Sequence, residues 1–185
     1  MENSCEIKCA YQEIIIKRVN LEGNIIYCNS TFMRVNGFKG ASVIHQPETI
    51  THHPDTPQTI FSIIHQTLQK GLPIQAIIKN KTQDQKYYWS IVEWKPQKDY
   101  NNQIISYVSY AKQAPEQIIN IMEPLYEMMR DIEERHGQQS ALDYLHAYLD
   151  EQKMTYGQYL YHLTKNRGLQ CLCEFIRHNI LNVKK

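Results

Sequence analysis

The most constraining feature of this sequence is a series of short segments rich in β-branched and aromatic residues, separated by polar turns, within its first 114 residues. Segments of this composition and length predict β-strands. They lie at residues 13–19, 25–28, 74–79, 87–94 and 103–111. Glycine and asparagine between the first two segments indicate a tight hairpin.

A short helix at Ser30–Asn36 and a longer amphipathic helix are predicted between the second and third strands. Thr56 is the expected cap of the longer helix, Pro57 suits a first helical position, and Gly71 ends it. Two strands, a helical crossover and three further strands make an α+β domain over residues 13–114. The predicted architecture is a five-stranded antiparallel sheet with helices on one face.

The sequence changes character at Pro115, after which apolar residues recur at helical spacing. Pro124 should kink the first of these helices or divide it in two. Helices this short are not stable alone, so they must pack on the sheet, on each other or on a second chain. The predicted helices cover residues 115–135, 141–149, 155–163 and 169–180. We therefore divide the chain into an N-terminal cap (1–12), the α+β domain (13–114) and a helical segment (115–185).

Composition excludes several classes of protein. Twenty Lys and Arg against nineteen Asp and Glu give a net charge of +1, which is not the charge of a dedicated nucleic-acid binder. No apolar run approaches the ~20 residues that span a bilayer, and the first residues lack the pattern of a secretory signal. We therefore expect a cytoplasmic protein that does not insert into membranes.

No motif for catalysis or metal binding is visible. The five cysteines form no Cys-x-x-Cys pair and are expected to be free thiols in a reducing compartment. There is no histidine–glutamate zinc motif, no phosphate-binding glycine loop and no nucleophile–histidine–acid order. The sequence therefore predicts neither an enzyme nor a metal site.

Several strings, in order along residues 12–130, together resemble the PAS superfamily and within it the FAD-binding sensor domain of bacterial aerotaxis (energy-taxis) receptors. They are GNIIYCN at 23–29, VNGF at 35–38, HPDTP at 53–57, KGLP at 70–73, KN at 79–80, YW at 88–89 and MEPLY at 122–126. The resemblance implies a PAS fold with a non-covalent flavin between the sheet and the helices. His52 and His65 stand where that family has arginine and tryptophan.

The resemblance implies a set of flavin-contacting residues. Side-chain amides can donate to and accept from the uracil-like edge of the ring, and an aromatic residue can pack on its face. The candidates are Asn29, His52, His53, Asp55, Phe61, His65, Asn80 and Trp89.

Five of the eight candidates also have a structural alternative. Asn29 and Asp55 are typical helix caps, Asn80 could turn the chain at a strand end, and Phe61 and Trp89 could be core residues. A haem b cofactor with an axial histidine at His65 is the competing ligand, and a cofactor-free interaction domain is the third possibility. Residues 52–55 lack the Asn-Cys-Arg-Phe-Leu motif of photoreactive LOV domains.

We therefore expect a stand-alone sensor that binds FAD and signals redox, energy or oxygen state to a partner protein. The helical segment would serve as output or dimerisation element in a homodimer, the commonest symmetric assembly. A separate membrane-bound transducer is a possible partner.

Overall fold

The computed structural model describes residues 6–8 and 13–165. The chain divides into two compact units, Met1–Tyr144 and Leu145–Lys185. Three sequence-based expectations lie wholly or mostly outside the described residues: the cap at 1–12, the helix at 169–180, and the state of Cys5, Cys9, Cys171 and Cys173.

A five-stranded antiparallel sheet forms the centre of the first unit, as predicted. Its strands are β1 (Ile15–Val19), β2 (Ile25–Cys28), β3 (Ile74–Lys81), β4 (Tyr87–Lys98) and β5 (Ile104–Gln113). Their order across the sheet is β2-β1-β5-β4-β3, so the first strand pairs with the last. This pairing places β5 at the centre of the sheet, between β1 and β4.

The connection between β2 and β3 covers one face of the sheet. It contains α1 (Ser30–Asn36), two short 3-10 helices (Gly40–Val43 and Glu48–Thr51) and α2 (Gln58–Gln69). Gly37 ends α1 with a φ of 77°, a conformation that glycine adopts without a steric penalty. The apolar stripe of α2 faces the sheet and is buried there; it consists of Ile60, Ile64 and Leu68.

Side chains alternate between the two faces of the sheet, and this alternation separates two environments. On β4, Ser90 and Val92 face α2 and line a cavity, whereas Trp89 points to the opposite face. On β3, Asn80 faces the cavity and Lys79 the opposite side.

The opposite face is covered by α3 (Glu116–His136). Pro124 lies inside this helix without dividing it. Tyr126 packs against Trp89, with ring centroids 6.0 Å apart, and its hydroxyl donates to the carbonyl oxygen of Ile77 at 2.7 Å. The sequence left open whether the apolar stripe of this helix packs on the sheet, on another helix or on a second chain. The structure shows that α3 packs on its own sheet.

The cap of α2 differs from the prediction. Thr56 does not cap the helix, because its hydroxyl donates to the carbonyl oxygen of Lys79 and accepts from the Lys79 N–H, both at 3.0 Å. Glu133, at the end of α3, accepts from the N–H groups of Gln58 at 3.0 Å and Thr59 at 2.6 Å. A carboxylate at this position satisfies free N–H groups and complements the helix dipole.

The remaining described helices are α4 (Gln138–Glu151), which begins in the first unit and continues into the second, and α5 (Tyr156–Lys165). The predicted capping box opens α5: Gln158 N–H donates to the Thr155 hydroxyl, and Thr155 N–H donates to the Gln158 side chain. In the described part of the chain, no helix has the length and apolar character needed to cross a membrane.

Candidate functional site

A cavity of about 270 Å³ lies between the sheet and the β2–β3 connection. The aliphatic part of its wall is formed by Ile15, Val19, Ile64, Leu68, Ile78 and Val92, and aromatic and polar side chains complete the lining. Strands β1, β3, β4 and β5 supply one wall and α2 supplies the other, because the buried faces of the sheet and of the helix point into the same space. The site is therefore an apolar slot inside the domain.

Asn80 and Ser90 form a polar pair in this cavity. They lie on the neighbouring strands β3 and β4, and the Asn80 amide donates to the Ser90 hydroxyl at 2.9 Å and to the Ile78 carbonyl oxygen at 3.2 Å. Asn80 is 9% exposed. Buried amide and hydroxyl groups beside apolar side chains can position the polar edge of a ligand.

His52 and Phe61 form an aromatic pair in the same cavity. Their rings stack in parallel, with centroids 3.7 Å apart and 3° between the planes. An isolated β-bridge between His52 and Asn80 holds this histidine beside β3. Burial and the positive charges of Lys17 and Lys81 lower the pKa of His52 to about 4, although the negative charge of Glu48 acts in the opposite direction. The imidazole is therefore neutral at neutral pH, with one donor and one acceptor nitrogen.

Lys17 is a cavity residue that the sequence analysis did not identify. Its ammonium lies 2.9 Å from the Glu48 carboxylate and 5.1 Å from the centre of the Trp94 ring. The signal was present, because Lys17 stands between Ile15 and Val19, two residues on the buried face of β1. Alternation alone would have placed this lysine inside.

His65 lies at the rim of the cavity. It comes one helical turn after Phe61 on α2, is exposed, and its Nε2 is 3.4 Å from the Gln69 amide nitrogen. Four of the eight candidates thus come together around one cavity: His52, Phe61, His65 and Asn80.

Asn29 lies outside the cavity and organises the backbone. Its side-chain oxygen accepts from the N–H groups of Phe32 at 2.9 Å and Ile16 at 3.1 Å, and its amide donates to the Ile14 carbonyl oxygen at 2.8 Å. These contacts cap α1 and join it to β1. Asn29 is therefore a helix cap, which is the structural alternative to contact with the flavin.

Trp89, Asp55 and His53 also lie away from the cavity. The alternation on β4 turns Trp89 to the face that α3 covers, where the Lys79 ammonium lies 5.5 Å from the centre of its ring. His53 packs edge-on against Tyr87, and its Nδ1 accepts from the Asp55 N–H at 3.1 Å. For these three residues the structure shows packing and polar contacts outside the cavity.

Asp55 belongs to a group of charged residues that we call the Lys79 cluster: Asp55, Lys79, Glu123 and Arg130. Lys79 lies 2.7 Å and Arg130 2.6 Å from the Asp55 carboxylate, and Lys79 lies 3.4 Å from Glu123. Burial raises the pKa of Asp55, but the hydrogen bond from Lys79 and the surrounding positive charges outweigh it and hold the pKa below its ordinary value. The cluster joins α3 to the segment that carries His52.

No group of three or more histidine, cysteine or acidic side chains suited to a metal ion occurs among residues 6–8 and 13–165. The polar groups that line the cavity are instead amides, hydroxyls, imidazoles, the Glu22 carboxylate and the Lys17–Glu48 ion pair. This set suits an uncharged or weakly charged organic ligand held by hydrogen bonds and apolar contacts.

A small antiparallel sheet with a helical connection over one face and a cavity between them is an α+β architecture that can enclose a small ligand. Residues 25–111 match the family model described as PAS fold. This part of the chain has the PAS fold, as the resemblance implied.

The aerotaxis receptor of Escherichia coli strain K12 is 30% identical over 115 residues, which cover 62% of this chain and 22% of the receptor. The chain therefore matches about a fifth of that receptor. A solved light-oxygen-voltage domain, from work on its mechanism with a flavin analogue, superimposes with a TM-score of 0.55 at 14% identity, covering 62% of this chain and 87% of that one. The dark structure of the blue-light photoreceptor Aureochrome1 LOV gives 0.54 at 15% identity, covering 62% and 85%. At these identities, the two solved structures are similar to this chain in fold only.

Proposed function

We propose that this PAS domain binds FAD in the cavity and reports redox, energy or oxygen state to a partner protein in the cytoplasm. The observation that carries the proposal is the placement of Asn80, Ser90 and the neutral His52 beside the apolar residues of one cavity. The sequence relationship to the aerotaxis receptor supports a sensory rather than a catalytic role.

The residues present fit a flavin ring system. An isoalloxazine needs flat apolar walls and a few hydrogen-bonding groups along one edge, and this cavity has both. Its volume of about 270 Å³ lies just below the ~300–1,000 Å³ typical of small-molecule sites, so it suits the ring system rather than a whole dinucleotide. Asn80 and Ser90 would hold the polar edge, and Phe61 with His52 would pack against the ring. The bound flavin would supply the redox chemistry.

Contacts of the His52–Asp55 segment supply a route from the cavity to α3. His52 lines the cavity, and three residues later Asp55 binds Arg130 of α3. A change in the cavity that moves this segment therefore changes the contacts that hold α3. A two-state response requires only that the cofactor's two redox states differ in their contact energy with the protein.

Reconstitution of the full chain with excess FAD tests the proposal. We expect a yellow protein that retains flavin after desalting and releases it on denaturation, measured by fluorescence. FMN and riboflavin added in competition define which part of the ligand is recognised. A folded full chain that retains no flavin contradicts the proposal.

Loading the full chain with haem is the comparison for the flavin experiment. Under the flavin proposal, His65→Leu leaves the flavin spectrum unchanged, because His65 lies at the exposed rim. A Soret band in the wild type that disappears in this variant would establish the haem alternative instead. A protein that retains neither cofactor would be an interaction domain.

The proposed assembly is a homodimer formed through the C-terminal helices, with a separate membrane-bound transducer as the downstream partner. The short helices that follow Gly137 support it, since helices of this length need a packing partner.

A further inference from the structure

Lys17 places a buried positive charge in the cavity. It lies in the middle of β1, is 9% exposed, and faces inward between Ile15 and Val19. Lysines are rarely this buried, because removing an ammonium ion from water is costly unless a partner compensates it. Its close contacts are the Glu48 carboxylate at 2.9 Å and the face of Trp94 at 5.1 Å.

The two members of this ion pair come from different parts of the site. Lys17 belongs to the sheet, and Glu48 begins the 3-10 helix Glu48–Thr51 that precedes His52. The other titratable groups that line the cavity are Glu22 in the exposed hairpin, His65 at the rim, the neutral His52, and the phenols of Tyr88 and Tyr107. Among the described residues that line the cavity, Lys17 is therefore the one ammonium ion, and Glu48 is the carboxylate paired with it.

We propose that Lys17 raises the reduction potential of the flavin bound in this cavity and that Glu48 lowers it. The inference rests on the proposed function. Reduction by two electrons with uptake of one proton gives the neutral ring system one negative charge. A cation in the same low-dielectric cavity stabilises that charge, whereas a carboxylate beside it does the opposite. The ion pair thus sets the redox range in which the sensor responds.

The test is a spectroelectrochemical titration of the flavin-loaded full chain, with electrons supplied by an electrode through soluble mediators. Lys17→Met should lower the midpoint potential and Glu48→Gln should raise it. We expect each change to alter the ratio of affinities for reduced and oxidised flavin about tenfold, which is about 30 mV for a two-electron couple. Shifts of opposite sign are the signature of charge, because loosening of the cavity would move both variants the same way.

Lys95→Met is the matched control. Lys95 follows Trp94 on β4, points to the opposite face of the sheet and pairs with Glu93 at 3.2 Å. The same charge is removed from the same sheet but outside the cavity, so the potential should stay within the error of the wild type. Lys17→Arg keeps the charge and should retain most of the wild-type potential.

The outcomes separate the two proposals. Flavin-loaded variants whose potentials are unchanged, or shift in the same direction, overturn the role of Lys17 and Glu48 and leave flavin binding intact. A wild type that binds no flavin overturns both. If Lys17→Met does not fold, the shift of Glu48→Gln decides alone: a rise supports the inference, and no change or a fall refutes it.

Discussion

At the scale of single residues, Asn29 and Asn80 show what residue type can and cannot predict. Both were candidates for flavin contacts, yet only Asn80 lines the cavity. Asn29 is committed to backbone groups of Ile14 and Ile16, and these contacts depend on how β1 lies against α1. An asparagine after a strand predicts a polar junction. Whether the junction serves the backbone or a ligand is decided by tertiary contacts.

The two asparagines should therefore separate stability from affinity. Asn29→Ala removes a cap and should lower the free energy of unfolding by about 0.5–2 kcal/mol, with unchanged flavin affinity under folding conditions. Asn80→Ala should weaken flavin binding by a factor equivalent to about 1–3 kcal/mol, because a polar ligand atom loses its partner. Urea unfolding and flavin titration on each variant measure both quantities. Equal loss of flavin affinity in the two variants would contradict this division of roles.

His52 makes stability depend on pH. Its pKa of about 4 in the folded state lies below the ordinary value of 6.5, so the unfolded chain binds more protons between these two values. Stability therefore falls as the pH drops through 6.5 and levels off below about 4. The loss at pH 4.5 relative to neutral pH is about 2–3 kcal/mol from this residue.

Comparison with His52→Phe isolates that contribution, since phenylalanine can keep the stacking on Phe61 without a titrating group. We expect the wild type to lose more stability than the variant between pH 7 and pH 4.5, measured by urea unfolding. Parallel pH profiles for the two proteins would show that His52 is not buried as a neutral group.

At the scale of elements, alternation and turn residues predicted which segments form strands. They did not predict where the strands end, and the reason is local. The third, fourth and fifth strands all extend past their predicted ends, and β4 continues through Pro96 to Lys98. Its pairing with β3 stops at Trp94, so beyond that point β4 has a neighbour on one side only. Proline is tolerated where one side of a strand needs no N–H donor.

The cap of α2 could not be predicted in the same way, because Glu133 lies 75 residues from Gln58 in sequence. Glu133→Ala should lower the free energy of unfolding by about 1–2 kcal/mol, as two helix N–H groups lose their acceptor. Glu134→Ala, at the exposed neighbouring position, should change it by less than about 0.5 kcal/mol. Chemical unfolding of both variants checks the difference, and equal effects would mean that the contact contributes little.

At the scale of the whole molecule, the position where the sequence pattern changes is not the position where the packing divides. The pattern changes from strands to helices at Pro115, whereas the first compact unit extends to Tyr144. The helix after Pro115 buries Ile118, Met122, Tyr126 and Met129, and the Lys79 cluster fixes its polar side. Periodicity showed that α3 has an apolar face, but it could not show which surface covers that face.

This placement changes how the proposed dimer must be tested. A chain that ends at Ala114 exposes Trp89 and loses the five buried side chains of α3, each worth about 1.5–3 kcal/mol. Such a loss approaches the whole stability of a domain, about 5–15 kcal/mol, so we expect this chain to be unfolded or aggregated. A chain that ends at Tyr144 keeps α3 and should bind flavin as the full chain does.

Dimerisation then depends on what residues 145–185 pack against. Within them, Tyr148 and Tyr159 join α4 to α5, with hydroxyl oxygens 2.9 Å apart and rings at 89°. Leu145, Leu149 and Leu160 are already buried within the chain, so a dimer would use side chains that stay exposed, such as Tyr161, and two-fold symmetry favours a second copy of the same segment as the partner. Sedimentation should therefore find a dimer of the full chain and a monomer of the chain ending at Tyr144. A full chain that stays monomeric at high micromolar concentration would exclude the homodimer and leave these helices available to a different protein.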